Sequence, residues 1–89
     1  MKTKVDKLLD QFCKVQKRAQ KILDVSGFSA APIIYAFATE TTLVINCRDA
    51  ETAWQLEERQ NQLWQSILEL KSSINQIVIE KGGKVWYSF

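Results

Sequence analysis

The chain has 89 residues, of which 46% are hydrophobic and 25% are charged, enough for one small globular domain. It contains no histidine and only two cysteines, which excludes Ser-His-Asp and Cys-His catalysis and a closed four-ligand zinc site. The longest apolar run covers only residues 30–38, too short for a membrane span of about 20 residues. The N-terminus has no apolar leader, so we expect a cytoplasmic protein with both thiols reduced and no disulfide.

The first predicted element is an amphipathic helix from about Thr3 to Asp24, ended by Gly27. Its apolar residues recur at alternating spacings of three and four: Val5, Leu8, Phe12, Val15, Ala19 and Ile22. Seven of the 12 basic residues but only three of the 10 acidic residues lie within residues 1–24. This basic end is the main electrostatic signal in the chain.

Two strands are predicted next, over Ile33–Ala38 and Thr42–Cys47. The second is β-branched and alternating, with Leu43, Ile45 and Cys47 on one face. The polar turn between the strands is short, which favours an antiparallel hairpin.

A second amphipathic helix is predicted from Ala50 to Lys71, with Asp49 as its N-cap. Its stripe consists of Ala53, Leu56, Gln60, Leu63, Ile67 and Leu70. Two interpretations stay open: a helix that only packs on a sheet, or one that also pairs with another chain. In the second case Trp54, Gln60 and Trp64 would form the interface, with Gln60 in a polar contact across a two-fold axis.

Two final strands, Ile74–Glu80 and Lys84–Phe89, flank a turn at Lys81-Gly82-Gly83. The order α-β-β-α-β-β predicts an α+β fold for a single domain over residues 1–89. We expect two helices packed on one face of a four-stranded, mostly antiparallel sheet.

The sequence shows no catalytic constellation. Gly82-Gly83 is the only glycine pair and joins two strands, unlike a phosphate-binding loop. Glu57 and Glu58 are adjacent in the second helix and therefore point about 100° apart, which makes them poor acid–base partners. We therefore predict a non-enzyme without a metal or cofactor.

Two sets of residues are candidates for binding. The basic residues Lys7, Lys14, Lys17, Arg18 and Lys21 follow the first helix and could contact nucleic acid or an acidic protein, or simply provide solubility. A two-layer domain leaves one sheet face uncovered, where some of four aromatic residues must lie. These residues, Tyr35, Phe37, Trp86 and Tyr87, could stack on bases or form a protein interface.

The segment from Leu43 to Leu56, a hydrophobic strand, a short link and a helix opening with Trp54 and Leu56, resembles the DciA family. The resemblance covers residues 42–80, including Leu63, Ile67 and the later Ile77-Val78-Ile79. It implies a KH-like α+β domain that binds single-stranded DNA and the replicative helicase.

Together these features predict a non-catalytic binding module associated with nucleic acid. The alternative is a small protein-interaction or regulatory subunit, either homodimeric or part of a larger assembly. Nine aromatic residues are more than a thin core can cover, so we expect a partner or a second copy in the working state. No membrane partner is predicted.

Overall fold

The computed structural model describes residues 4–28 and 33–89, with side chains from Gln11 onward. Three helices and four strands follow the predicted α+β order. They are α1 (Lys4–Ser26), β1 (Ile33–Ala38), β2 (Thr42–Cys47), α2 (Ala50–Glu58), α3 (Gln60–Glu69), β3 (Gln76–Lys81) and β4 (Lys84–Ser88). None of these helices has the length and apolarity that a bilayer crossing requires.

The four strands form one mixed sheet in the order β1-β2-β3-β4. The two outer pairs are antiparallel hairpins, as predicted, but β2 and β3 are parallel, from Thr42↔Gln76 to Cys47↔Lys81. The expectation of a mostly antiparallel sheet is therefore wrong at the centre of the sheet. The physical reason is the helical connection between β2 and β3, which returns the chain to the same end of the sheet and leaves the two strands parallel.

The core lies between one face of the sheet and the helices. Alternate residues of the central strands provide its floor: Leu43, Ile45 and Cys47 on β2 and Ile77 and Ile79 on β3, all with no exposed surface. The helices contribute Ala19, Ile22, Leu23, Ala53, Leu56, Leu63 and Ile67, at most 2% exposed. Each large aliphatic side chain buried this completely contributes roughly 1.5–3 kcal/mol. The predicted burial of Leu63 and Ile67 is confirmed.

The predicted second helix is two helices, α2 and α3, separated by a single residue. Asp49 caps α2 as predicted, because its Oδ1 accepts a 2.8 Å hydrogen bond from the backbone N–H of Thr52. Arg59 has φ −101° and ψ 23°, outside helical geometry, and it ends α2 and precedes α3. The break lets α2 pack on β2, β3 and β4 while α3 packs on α1.

Helix α1 packs on β1 and α3. Among its described side chains, the buried ones are Ala19, Ile22 and Leu23. Phe12, on the same predicted stripe, is 55% exposed. The side chains of Val5, Leu8 and the predicted binding residue Lys7 lie outside the described residues.

Candidate functional site

The cationic side chains of α1 form one exposed surface, which we call the basic face. It consists of Lys14, Lys17, Arg18 and Lys21, all exposed. At 100° per residue these positions fall within a sector of about 100° on the helix side opposite Ala19 and the core. Residues 11–23 contain no acidic residue. The four described members of the predicted basic stripe are therefore exposed on one side of the helix.

A groove adjoins the basic face where α1 meets the end of α3. Arg18 and Lys21 line it together with Lys71, Ser72 and Ser73, and its volume is about 420 Å³. Thr39, Glu40, Ile22 and Leu70 complete the lining. Sequence reasoning missed Lys71, because it lies 50 residues away from Lys21 in the chain and reaches α1 only through the packing of α3.

The sheet face turned away from the helices, which we call the open face, carries aromatic and aliphatic side chains. The strand register places Tyr35 beside Asn46 and Phe37 beside Val44 on this face, and Val44 in turn lies beside Val78. The rings of Tyr35 and Phe37 are stacked, with centroids 6.2 Å apart and planes inclined by 18°. The prediction that aromatic side chains lie on this face is confirmed for these two residues.

The side chain of Tyr35 on β1 also reaches across β2 to a residue of β3. Its hydroxyl donates a 2.8 Å hydrogen bond to Oε1 of Glu80 on β3. This hydrogen bond, more than partial desolvation or the Glu80 charge, raises the pKa of Tyr35 above its usual 10.0. The phenol of Tyr35 therefore stays protonated at neutral pH, and the carboxylate of Glu80 accepts its hydrogen bond.

The other two predicted sheet aromatics do not join this pair. Tyr87 pairs with Ile79 on the helix-covered face and packs against the core, so it is not among the aromatic residues of the open face. Strand alternation is interrupted by a bulge next to Trp86, which changes the face of the following residues. Trp86 is 46% exposed, and Nζ of Lys81 lies 5.3 Å from its ring centroid, within cation–π range.

An apolar groove of about 310 Å³ lies where α1 passes the edge strand β1. Phe12, Tyr35 and Phe37 line it with Gln16 and Ala36. Phe12 was assigned to the core stripe by sequence. The groove joins it to the aromatic residues of the open face, giving one apolar surface around the edge of the sheet.

The predicted helix interface is divided by the fold. Its stripe residues Leu56, Leu63 and Ile67 are buried within this domain, so they are not available to pair with another chain. Trp64 is half-buried against the core, whereas Trp54 is 51% exposed. Gln60 is half-buried as the first residue of α3. Leu68, at 76% exposure, is an apolar residue of α3 that the stripe left out.

The thiols and carboxylates of the described residues offer no metal centre. No group of three or more His, Cys, Asp or Glu residues among them could hold an ion. Cys13 is exposed and Cys47 is buried, and both are free. Burial, with a smaller effect of the Asp49 charge, raises the pKa of Cys47 to about 11, so it is a thiol at neutral pH.

Comparison of the chain with family models, curated proteins and solved structures gives no match. No residue roles can be transferred from a relative on that basis. The candidate functions therefore follow from the two exposed surfaces, the basic face of α1 and the open face of the sheet.

Proposed function

We propose that this protein is a non-catalytic module that binds single-stranded nucleic acid through the basic face of α1. The observation that carries this proposal is the exposure of Lys14, Lys17, Arg18 and Lys21 on one side of a helix segment free of acidic residues. Lys14 and Lys21 are separated by about 10 Å along the helix axis, since each residue rises 1.5 Å. Such a row of cations follows a phosphate backbone and releases its counterions.

The choice of single-stranded nucleic acid, and of a replicative helicase as an accompanying protein partner, comes from the resemblance of residues 42–80 to the DciA family. The proposed mode of binding differs from that of a typical KH module, which clamps the nucleic-acid backbone with a GxxG loop. The corresponding junction here, at Arg59, has no glycine and follows Glu57 and Glu58. An acidic junction repels phosphate, so the proposal assigns the contacts to α1.

The test compares two double charge reversals that change net charge equally. Lys14→Glu with Lys17→Glu alters the basic face, whereas Arg48→Glu with Lys84→Glu alters exposed cations elsewhere. Fluorescence anisotropy with a labelled oligothymidylate, across a salt series, measures binding. We expect the first variant to bind on the order of tenfold more weakly, with a salt slope smaller by about 1.4 if two phosphate contacts are lost.

The control variant should bind nearly as well as the wild type, and a duplex of matching length should bind more weakly than the single strand. Equal binding by the wild type and the Lys14→Glu, Lys17→Glu variant would remove α1 from the interface. A wild type that binds neither oligonucleotide at low salt would refute the function itself. Circular dichroism of both variants checks that the substituted exposed positions leave the fold intact.

The alternative function is a protein-interaction subunit, and one observation favours it. Phe12, Tyr35 and Phe37 line a continuous apolar surface at an edge strand, where a protein partner or a second copy could dock. Light scattering over a dilution series, for the wild type and Phe37→Glu, tests self-association. A dimer that persists at high salt and is lost in Phe37→Glu supports this alternative, because apolar interfaces respond little to salt.

A further inference from the structure

The groove between α1 and the end of α3 brings together three cations from two distant parts of the sequence. Arg18 and Lys21 come from the basic face, and Lys71 comes from the turn after α3. One carboxylate, Glu40, also lines the groove. The lining therefore contains three cationic side chains and one carboxylate, and this balance of charge favours an anion. A groove of about 420 Å³ is ample for a phosphate group.

The backbone at Lys71 has a left-handed conformation. Lys71 has φ +54°, the only positive value at a non-glycine residue in the described chain. It occupies the position after a helix end where glycine is the usual residue, because a Cβ is disfavoured there. The turn is a Schellman motif: the N–H groups of Ser72 and Lys71 donate to the carbonyls of Ile67 and Leu68. A lysine therefore stands at a position where glycine would suit the backbone better.

The Schellman hydrogen bonds also reduce the negative potential at the C-terminal end of α3. A helix C-terminus carries partial negative charge on its unpaired carbonyls, which disfavours an anion. At the end of α3 the carbonyls of Ser66, Ile67 and Leu68 all accept backbone hydrogen bonds. The positive charge of Lys71 at the same helix end offsets the remaining dipole.

One of the hydroxyl groups that line the groove donates no hydrogen bond among the described residues. Ser73 donates its proton to the carbonyl of Glu40, and Thr39 donates to the carbonyl of Thr42. Ser72 Oγ accepts from the N–H of Ile74, and within residues 11–28 and 33–89 it donates no hydrogen bond. A hydroxyl that is already an acceptor keeps its proton for another partner.

We propose that this groove binds one phosphate group, held by Arg18, Lys21 and Lys71 with the hydroxyl of Ser72. The inference rests on the proposed function in taking that phosphate from a nucleic-acid backbone. It goes further in extending the interface from α1 onto the end of α3. A phosphate here continues the row along Lys14 and Lys17 around the helix. Free inorganic phosphate offers the same chemistry, and the experiment separates the two sources.

The test uses Lys71→Gly in the full chain, with Lys71→Arg as the charge-retaining variant and Lys84→Gln as a control for loss of one exposed cation. Glycine removes the ammonium group and suits the left-handed backbone. We therefore expect a Tm equal to or above that of the wild type, together with oligothymidylate binding weaker on the order of fivefold. The salt slope should fall by about 0.7, the value for one lost phosphate contact on a single strand.

Lys71→Arg should recover much of the affinity that Lys71→Gly loses, and Lys84→Gln should bind as the wild type does. Unchanged affinity and salt slope in Lys71→Gly, with binding still weakened by Lys14→Glu and Lys17→Glu, would overturn the groove and leave the proposed function standing. A fall in Tm parallel to the fall in affinity would make Lys71 a structural residue and also overturn the inference.

Inorganic phosphate alone, titrated while the backbone amide signals of residues 70–73 are followed by nuclear magnetic resonance, forms the second arm. Saturable shifts that Lys71→Gly abolishes support the groove even if the wild type binds no oligonucleotide. In that case the proposed function fails and the phosphate site remains as a site for free phosphate. No saturable shift, together with an unchanged Lys71→Gly affinity for the strand, refutes the site for both sources.

Discussion

Helix α1 and the α2–α3 segment have the same apolar periodicity in sequence but differ in helix continuity and in the burial of their apolar residues. Both stripes alternate spacings of three and four. In α1 the helix is continuous over 23 residues, but burial of the described side chains is complete only from Ala19 onward. In α2–α3 the helix is broken at Arg59, yet Leu56 and Leu63 on either side of the break are fully buried.

The difference shows that periodicity identifies the face of a helix and leaves open how much of that face has a partner. Among the described side chains of α1, Ala19, Ile22 and Leu23 are buried, whereas Phe12 is 55% exposed. Helix α2 packs on β2, β3 and β4, while α3 packs on α1, so the two halves of the broken helix have different partners. No proline or glycine lies at Arg59, so packing rather than local sequence explains the break.

The largest effect predicted from this comparison is on stability. Leu63→Ala removes a fully buried side chain and should lower the free energy of unfolding by on the order of 2–5 kcal/mol. Phe12→Ala, on an equivalent stripe position of α1, should cost less than about 1 kcal/mol, because the ring is 55% exposed. Urea denaturation followed by tryptophan fluorescence measures both.

If Leu63→Ala does not fold, the milder Ile67→Val takes its place, with an expected cost of about 0.5–1.5 kcal/mol. A cost for Phe12→Ala as large as that for Leu63→Ala would show that the first half of α1 is packed as tightly as α3. A second copy of the chain over Phe12 would give that result with a concentration-dependent midpoint.

The sequence predicts elements well where the local pattern decides them. The α+β order, both hairpins, the Asp49 cap and the burial of Leu63 and Ile67 all follow from spacing and turn chemistry. The parallel pairing of β2 with β3 does not, because it depends on where the connecting helices return the chain. The choice among the four aromatic residues does not follow from sequence either, because one bulge residue reverses the alternation of β4.

The candidate binding surfaces divide in the same way. The exposure of Lys14, Lys17, Arg18 and Lys21 is implied by one helix period, and the structure confirms it. Lys71 belongs to the same positive surface only through tertiary packing. Its local signal is weak, since a lysine after a helix is common and its left-handed backbone is not visible in the sequence.

A smaller effect on stability is expected at the N-cap of α2. This helix end is set by the local sequence, whereas the break at Arg59 is set by packing. Asp49→Ala removes the carboxylate that accepts from Thr52 and should lower Tm by roughly 5 °C. Glu58→Ala, an exposed acid in the last turn of α2, is the matched control and should not lower Tm.

The Asp49 effect should depend on pH in a defined direction. Hydrogen bonds with the side chain and backbone of Thr52 hold the pKa of Asp49 below its usual 3.8. A lowered folded-state pKa gives stability that is present above the unfolded value and is lost as pH falls through the folded value. The difference in Tm between wild type and Asp49→Ala should therefore be constant near neutral pH and shrink below about pH 4. A difference that persists undiminished in strong acid would contradict the cap.

The smallest expected effect concerns the open face, at the bond between Tyr35 and Glu80. Tyr35→Phe keeps the ring stacked on Phe37 and removes only the hydroxyl that donates to Glu80. Because the folded-state pKa of Tyr35 is raised, its stabilising contribution is complete below the unfolded value of about 10 and is lost as pH rises through the folded value. Tm should therefore differ slightly between wild type and Tyr35→Phe at pH 8 to 9, and the difference should vanish in stronger alkali.

The chain has two tyrosines, so tyrosinate absorbance in the variant reports Tyr87 alone. Subtracting it from the wild-type curve isolates Tyr35. Glu80→Gln, which keeps an acceptor and removes the charge, should move this ionisation to lower pH. A Tyr35 that ionises at its ordinary pH in the wild type would show that β1 and β3 are not joined across the open face.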